Sequence, residues 1–344
     1  MAEVKENKLV VVQLSGGNDA LNTVIPYNDE NYYDNRPRVH INPDKALKLD
    51  SELAMNPSMT AIKRLWDEGK VAVLNGIGYP DPNRSHFRSM DIWHTAEPNK
   101  VLTEGWIGRA LRDLDPKGDN VLGGINFGRG LPRAMACPGV PVASVGDLDT
   151  YGLFPSVKDA SDRNDILNVF SQMYGRGDGR DMVSEFLSQT GEDAMVGADI
   201  LSGAPAKYSS SVEYAANPLA NSLKDAARVM FAEVGTRFFY TQHGSFDTHG
   251  GELPVHSKLW EDVSSSIGDF MDDVREHGQG ESTAILVFSE FGRRIKDNGS
   301  GTDHGSGGVA FLIGDSVKGG MSVSYTHLRA HETDSYLVCR LLLE

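Results

Sequence analysis

The chain has 344 residues, 40% of them hydrophobic, with 48 acidic against 33 basic residues and a formal net charge of -15. That charge excludes the basic footprint of a nucleic-acid binder, and no apolar run approaches the ~18 residues of a membrane helix. The length suffices for one large core or two small ones, while Cys137 and Cys339 offer neither a disulfide framework nor zinc-knuckle spacing.

The opening MAEVKENK runs straight into the first apolar run, without the layout of a secretory signal. The protein is therefore expected to be cytoplasmic, or else its leader lies outside this sequence. Residues 9–14 (LVVVQL) form a continuous apolar run halted by Ser15-Gly16-Gly17, which predicts a buried strand feeding a loop. That loop carries Asp19. From 56 to 69, Met59, Ile62, Leu65 and Trp66 follow helical spacing, and Gly69 ends the pattern. VAVLNGIG (71–78) is a second buried strand, followed by the loop YPDPNRSHFRS and a helix bearing Met90, Ile92 and Trp93.

Residues 117–150 are rich in glycine and proline and read as an insertion or cap, which extends to about residue 215. Segment 160–235 reads as mostly helical, broken at Tyr174–Asp181; within it, residues 219–234 are amphipathic through Leu219, Leu223, Ala227, Met230 and Phe231. RFFYTQ (237–242) is a strand, 253–278 a long amphipathic helix, and TAILVF (283–288) and VAFLIG (309–314) are the last clear strands. Strand and helix patterns alternate at both ends of the chain, which predicts an α/β fold with helices on both faces of the sheet. Residues 1–320 are expected to form one domain. The tail 321–344 shows no fitting pattern and resembles a recurrent assembly artefact, so it reads as non-native, and His327, His331 and Cys339 are set aside.

The polar residues that follow these strands carry the chemistry, because ligands gather at the carboxyl ends of strands in an α/β sheet. Asp19 follows the first strand, Asp247 and His249 the third, and Glu290 the fourth; Asp303 and His304 precede the last. Carboxylates suit hard divalent cations, and imidazole extends the choice to transition metals. Each has a structural alternative. Asp19 is also placed to cap a helix, Asp247 to cap a turn, and Glu290 to pair with Arg293 or Arg294. His256 and His243 are weaker candidates. The loop around NRSHFRS adds Ser85 and His86 beside Arg84 and Arg88, where a hydroxyl flanked by guanidinium groups suits attack on, or clamping of, a phosphate or sulfate. Ser85 or Ser89 equally suits a helix N-cap. No G-x-S-x-G elbow is present, which argues against a serine hydrolase.

Taken in order, VVVQLSGGNDALNTVIPY, NRSHFRSMDIWHTA, GSFDTHGGE, VFSEFGRR and GTDHGSGGVAFLIGDSVKGG resemble the bacterial family called domain of unknown function 1501, DUF1501, grouped with the alkaline phosphatase and sulfatase superfamily. The resemblance implies an alkaline phosphatase-like fold with a central, mostly parallel sheet. It implies a metal site of one or two ions (zinc, manganese or calcium) held by Asp19, Asp247, His249, Glu290 and His304, with Ser85, His86 and Arg88 in catalytic positions. Phe291 departs from the pattern, standing where a histidine is expected after Glu290, and one nitrogen ligand is lost. The implied activity is hydrolysis of a phosphate or sulfate ester by a metal-activated serine or water, acting on a small anionic ester or a sulfated or phosphorylated glycan. The alternative is a non-catalytic member binding an anionic glycan or a protein. Export to the periplasm is implied by the resemblance alone.

Overall fold

The computed structural model describes residues 6–151 and 182–323, with helical positions at 162, 165, 166, 168, 169 and 172 between them. The expected break at Tyr174–Asp181, and His327, His331 and Cys339, lie outside the described residues. The first half contains β1 (Lys8–Leu14), α1 (Ala20–Thr23), β2 (Val24–Ile25), α2 (Glu30–Asn35), β3 (Leu47–Lys48), β4 (Ala54–Met55), α3 (Thr60–Asp67), β5 (Val71–Ile77), α4 (His86–Thr95), α5 (Trp106–Leu114), β6 (Gly124–Phe127) and β7 (Ala143–Val145). The second contains α6 (Met182–Ser202), α7 (Pro218–Phe231), β8 (Phe238–His243), α8 (Glu252–Glu276), β9 (Thr283–Ser289), β10 (Arg293–Asp297), β11 (Thr302–His304), β12 (Gly308–Ile313) and β13 (Gly320–Val323).

Eight strands form the main sheet in the order β13-β5-β12-β9-β1-β8-β6-β7. All run parallel except β12, which is antiparallel to both β5 and β9. β1 is central and pairs on both sides, Val10 lying opposite Phe239 of β8 and Ile285 of β9. Its continuous apolar run follows from this position, because both faces are covered. Val10, Val12 and Leu14 enter one core with α3, α7 and α8, whereas Val11 enters the other with Ile92 and Trp93 of α4 and Ile107 and Leu111 of α5. Each such side chain contributes roughly 1.5–3 kcal/mol by leaving water. The expected mostly parallel α/β sheet with helices on both faces is therefore present.

Two expectations change. Residues 117–150 are not wholly a cap: β6 and β7 extend the main sheet beyond β8, with Ile125 and Phe127 buried. These strands are short and glycine-flanked, so neither has a run long enough to show periodicity. The tail boundary also moves, because Met321–Val323 continue β13 alongside β5.

The reversal of β12 positions the site. A strand running against its neighbours brings its start to the edge where theirs end. The segment before β12, carrying Asp303 and His304, therefore reaches the edge that receives the loops after β5, β8 and β9.

Candidate metal centre

Four segments meet at this edge. His86 is the first residue of α4, after β5; Asp247 and His249 follow β8; Glu290 follows β9; His304 ends β11. One ligand atom each from His86, Asp247 and His304 lies within 4.8 Å of the others. His249 completes the group: its Nε2 is 3.0 Å from His304 Nε2 and 3.2 Å from Asp247 Oδ1, and His304 Nε2 is 3.1 Å from the same oxygen. His86 Nε2 stands 3.5 Å from Asp247 Oδ2 and has no hydrogen-bond partner.

The outer nitrogens of the three imidazoles are already engaged. His86 Nδ1 donates to Glu290 Oε1 (2.8 Å), His249 Nδ1 to Asp303 Oδ1 (3.2 Å), and His304 Nδ1 to the Arg84 carbonyl (2.8 Å). Donation at Nδ1 leaves Nε2 of each neutral ring as a lone pair. Three imidazole lone pairs thus gather around the Asp247 carboxylate with Arg293 as the donor named at the group, an acceptor-rich arrangement that suits a cation. Nitrogen-rich donors with one carboxylate suit a transition metal such as zinc, and outer-nitrogen anchoring on carboxylate or carbonyl is what metal-bound histidines require. The residues fit a metal ion.

Asp247 is further bound by the buried Arg293, whose Nη2 donates to Oδ1 at 2.6 Å. Burial pushes the Asp247 carboxyl up, but the Arg293 hydrogen bond and the guanidinium charge prevail and lower it to about 2. Its loop passes so close to Gly16 (φ +125°) that a Cβ there would lie 2.3 Å from the Asp247 nitrogen.

The remaining expected residues take other places. Asp19 is fully buried, caps α1 through the Leu21 N–H, and is held by both terminal nitrogens of Arg36. The expected ligand at Asp19 is therefore outside the cluster: burial opposes its charge, yet Arg36 and Glu252 together hold it well below the carboxylate range. Glu290 is buried and gives its oxygens to the Gly16 N–H (2.9 Å), His86 and the Ser289 hydroxyl (3.0 Å), so it lies behind a candidate ligand and outside the His86–Asp247–His304 group. Arg293, a possible partner for Glu290 by sequence, pairs with Asp247 instead. Arg88 turns away from the cluster to the carbonyls of Pro98 and Lys100. Ser85 is the exposed N-cap residue of α4, and its side chain makes no capping bond.

His256 is buried, with Nε2 2.9 Å from Asn18 Oδ1, and burial lowers its pKa to about 4. His243 is likewise lowered by burial. Phe291 is buried between two ligands, its ring centroid 5.0 Å from that of His86 and 4.8 Å from that of His304. Arg36 lacked a strand-end signal in the sequence, whereas Glu252 closes the GSFDTHGGE stretch after β8 and is not among the expected site residues.

Among known families, the one described as protein of unknown function (DUF1501) matches residues 177–335. The match covers less than half of the chain. The matched stretch carries Asp247, His249, Glu290 and His304, while His86 lies before it. No curated protein matches the chain. Similar solved structures include the zinc complex of the C-terminal periplasmic domain of EcEptC from Escherichia coli (TM-score 0.39, 8% identity, 91% of this chain and 74% of that one). The lipoteichoic acid synthase LtaP from Listeria monocytogenes has a TM-score of 0.39 and 8% identity over 90% of this chain. BT1596, a 2-O GAG sulfatase, has a TM-score of 0.38 and 9% identity over 91%. The chain spans 65% of the length of each of the last two.

Proposed function

We propose that this protein is a metal-dependent hydrolase of phosphate or sulfate esters, working with one divalent ion. The observation that carries this reading is the convergence of the His86, His249 and His304 Nε2 atoms on the Asp247 carboxylate, with every outer nitrogen occupied. One ion is favoured over two because Asp19, which would otherwise add charge, is neutralised by Arg36, and Asp247 shares its charge with Arg293. When bound, the ion would polarise an ester oxygen and lower the pKa of water.

The chain's own groups complete the chemistry. Glu290 fixes the His86 tautomer, and Asp303 and the Arg84 carbonyl do the same for His249 and His304. Ser85, exposed beside His86 at the start of α4, offers a hydroxyl near the ligands; a water offers the alternative nucleophile. Attack forms a bond from the nucleophile's oxygen to phosphorus or sulfur as the ester bond breaks, and the nucleophile's proton leaves with the alcohol. Where Ser85 attacks, a water then hydrolyses the seryl ester, releasing phosphate or sulfate and restoring the hydroxyl.

Metal content of the purified protein, with a phosphate and sulfate ester screen, tests the reading. About one equivalent of a transition metal is expected, and His304→Ala should lose both metal and esterase activity while staying folded. A folded wild-type protein that binds no ion after reconstitution ends the catalytic reading. A second reading then gains ground, a divergent member that binds an anionic glycan or a protein at this edge. The observation favouring it is Phe291, whose ring occupies space between His86 and His304.

A further inference from the structure

Arg293 is buried at 1% exposure, yet it touches the loop after β1 and the two segments that carry Asp247 and His304. Its Nε donates to the Gly17 carbonyl (2.7 Å) and its Nη1 to the Thr302 carbonyl (2.9 Å). Nη2 serves the carbonyls of Gly16 (2.5 Å) and Phe246 (3.0 Å) and Asp247 Oδ1 (2.6 Å). Each partner stands next to a ligand or to the group that holds one. Gly16 donates its N–H to Glu290, which orients His86; Phe246 precedes Asp247 and His249; Thr302 precedes His304 by two residues, and His304 is the β-ladder partner of Arg293 itself.

We propose that Arg293 is the positioning residue of this centre. Its planar fork holds Asp247 by Oδ1, leaves Oδ2 toward His86, and ties the Asp247 and His304 segments to the loop after β1 in one frame. The inference rests on the metal reading above for its affinity readout, but not for its structural readout. Two effects of this guanidinium oppose each other. Its charge repels a cation, so that deletion on charge grounds alone would tighten metal binding. Its hydrogen bonds orient the ligands, so that losing the fork weakens binding. Lysine keeps the charge and drops the planar fork, and Arg293→Lys therefore isolates the second effect.

The experiment compares wild type, Arg293→Lys, Asp247→Asn and the double variant in two ways. Zinc affinity is measured by competition with a chromophoric chelator, and the imidazole 15N signals of His249 and His304 are recorded on the metal-free proteins. Arg293→Lys is expected to lose about 10- to 100-fold in zinc affinity, the usual effect of removing a group that orients a ligand. The loss caused by Arg293→Lys should be smaller in the Asp247→Asn background, because part of the effect passes through the Asp247 carboxylate. The His249 and His304 signals should shift in Arg293→Lys. Equal losses with and without Asp247, or unshifted signals, overturn the proposal and leave Arg293 as a structural residue only. If wild type binds no zinc, the metal reading falls, and the imidazole signals alone decide the role of Arg293. If Arg293→Lys does not fold, the neutral pair Arg293→Gln/Asp247→Asn decides. A folded neutral pair matching Asp247→Asn keeps the proposal, and an unfolded one overturns it.

Discussion

Glu290 holds His86 from behind. Its Oε1 lies 2.8 Å from Nδ1, and Nε2 on the far side of the ring turns toward Asp247. A carboxylate at the buried end of β9 therefore acts through an imidazole rather than directly. The same oxygen accepts the Gly16 N–H, so the loop after β1 and the first turn of α4 are joined through one atom.

Glu290→Gln follows from this relationship. The amide keeps an oxygen for His86 and Gly16 but removes the charge that makes the imidazole a stronger donor. Zinc affinity should fall about tenfold, at the low end for a lost carboxylate behind a histidine ligand. The urea midpoint should hardly move. Competition titration and urea unfolding on the same samples check both; an unchanged affinity would show that Glu290 does not tune His86.

Phe291→His places a nitrogen at the position now filled by an aromatic ring between His86 and His304. Without metal the substitution should cost about 1–3 kcal/mol, since a buried ring is exchanged for a polar one without an arranged partner. Zinc should recover much of that loss, because an ion bound only by the folded state stabilises it by mass action. Thermal unfolding with and without zinc reads the difference. A zinc-induced rise in Tm no larger than in wild type would mean that the added nitrogen does not reach the ion.

The sheet was legible in the sequence because β1, β5, β8, β9 and β12 are largely apolar runs, and the residues after the first four and before β12 share one edge by topology. His86, Asp247, His249 and His304 were visible as ligand types in such loops. What could not be read was which carboxylate faces the cluster. Asp19 and Asp247 both follow parallel strands, yet Asp19 meets Arg36 from α2 and its boundary, and Asp247 meets Arg293 from β10. Those pairings span 17 and 46 residues of sequence and leave no local pattern. β6 and β7 escaped for a different reason, being too short for their alternation to stand out among glycines.

Gly16→Ala tests how closely the loop after β1 approaches the segment that carries Asp247. The backbone at Gly16 has φ +125°, and an added Cβ would meet the Asp247 nitrogen at 2.3 Å and the Phe246 carbonyl carbon at 2.7 Å. These are main-chain atoms that cannot swing aside. A loss of about 2–3 kcal/mol in stability is expected from strain and displacement, together with weaker zinc binding, because Asp247 must move. Urea unfolding and zinc titration measure the two effects. Retained zinc affinity despite the lost stability would separate the loop contact from the ligand geometry.

The buried carboxyl of Glu252 sets an alkaline limit on stability. It accepts from Asn22 Nδ2 (2.9 Å) and the Thr302 hydroxyl (2.6 Å), and it faces Asp19 and Arg36. Burial and the neighbouring Asp19 charge push it up to about 9, with Arg36 only partly offsetting them. The unfolded chain releases this proton near pH 4.5, whereas the folded chain keeps it to about pH 9. The folded state therefore binds more protons across that window, and the stabilisation present below pH 4.5 is lost as pH rises through it. The buried His94 and His256, both lowered to about 4 from 6.5, act in the opposite sense and cost stability as pH falls below 6.5. Between pH 6.5 and 9 Glu252 acts without them. Urea unfolding over that range should show wild-type stability declining by up to about 1.4 kcal/mol per pH unit, the limit for one proton. Glu252→Gln, which keeps an uncharged group of the same shape, should flatten this slope. A slope of equal steepness in the variant would place the alkaline loss on another group.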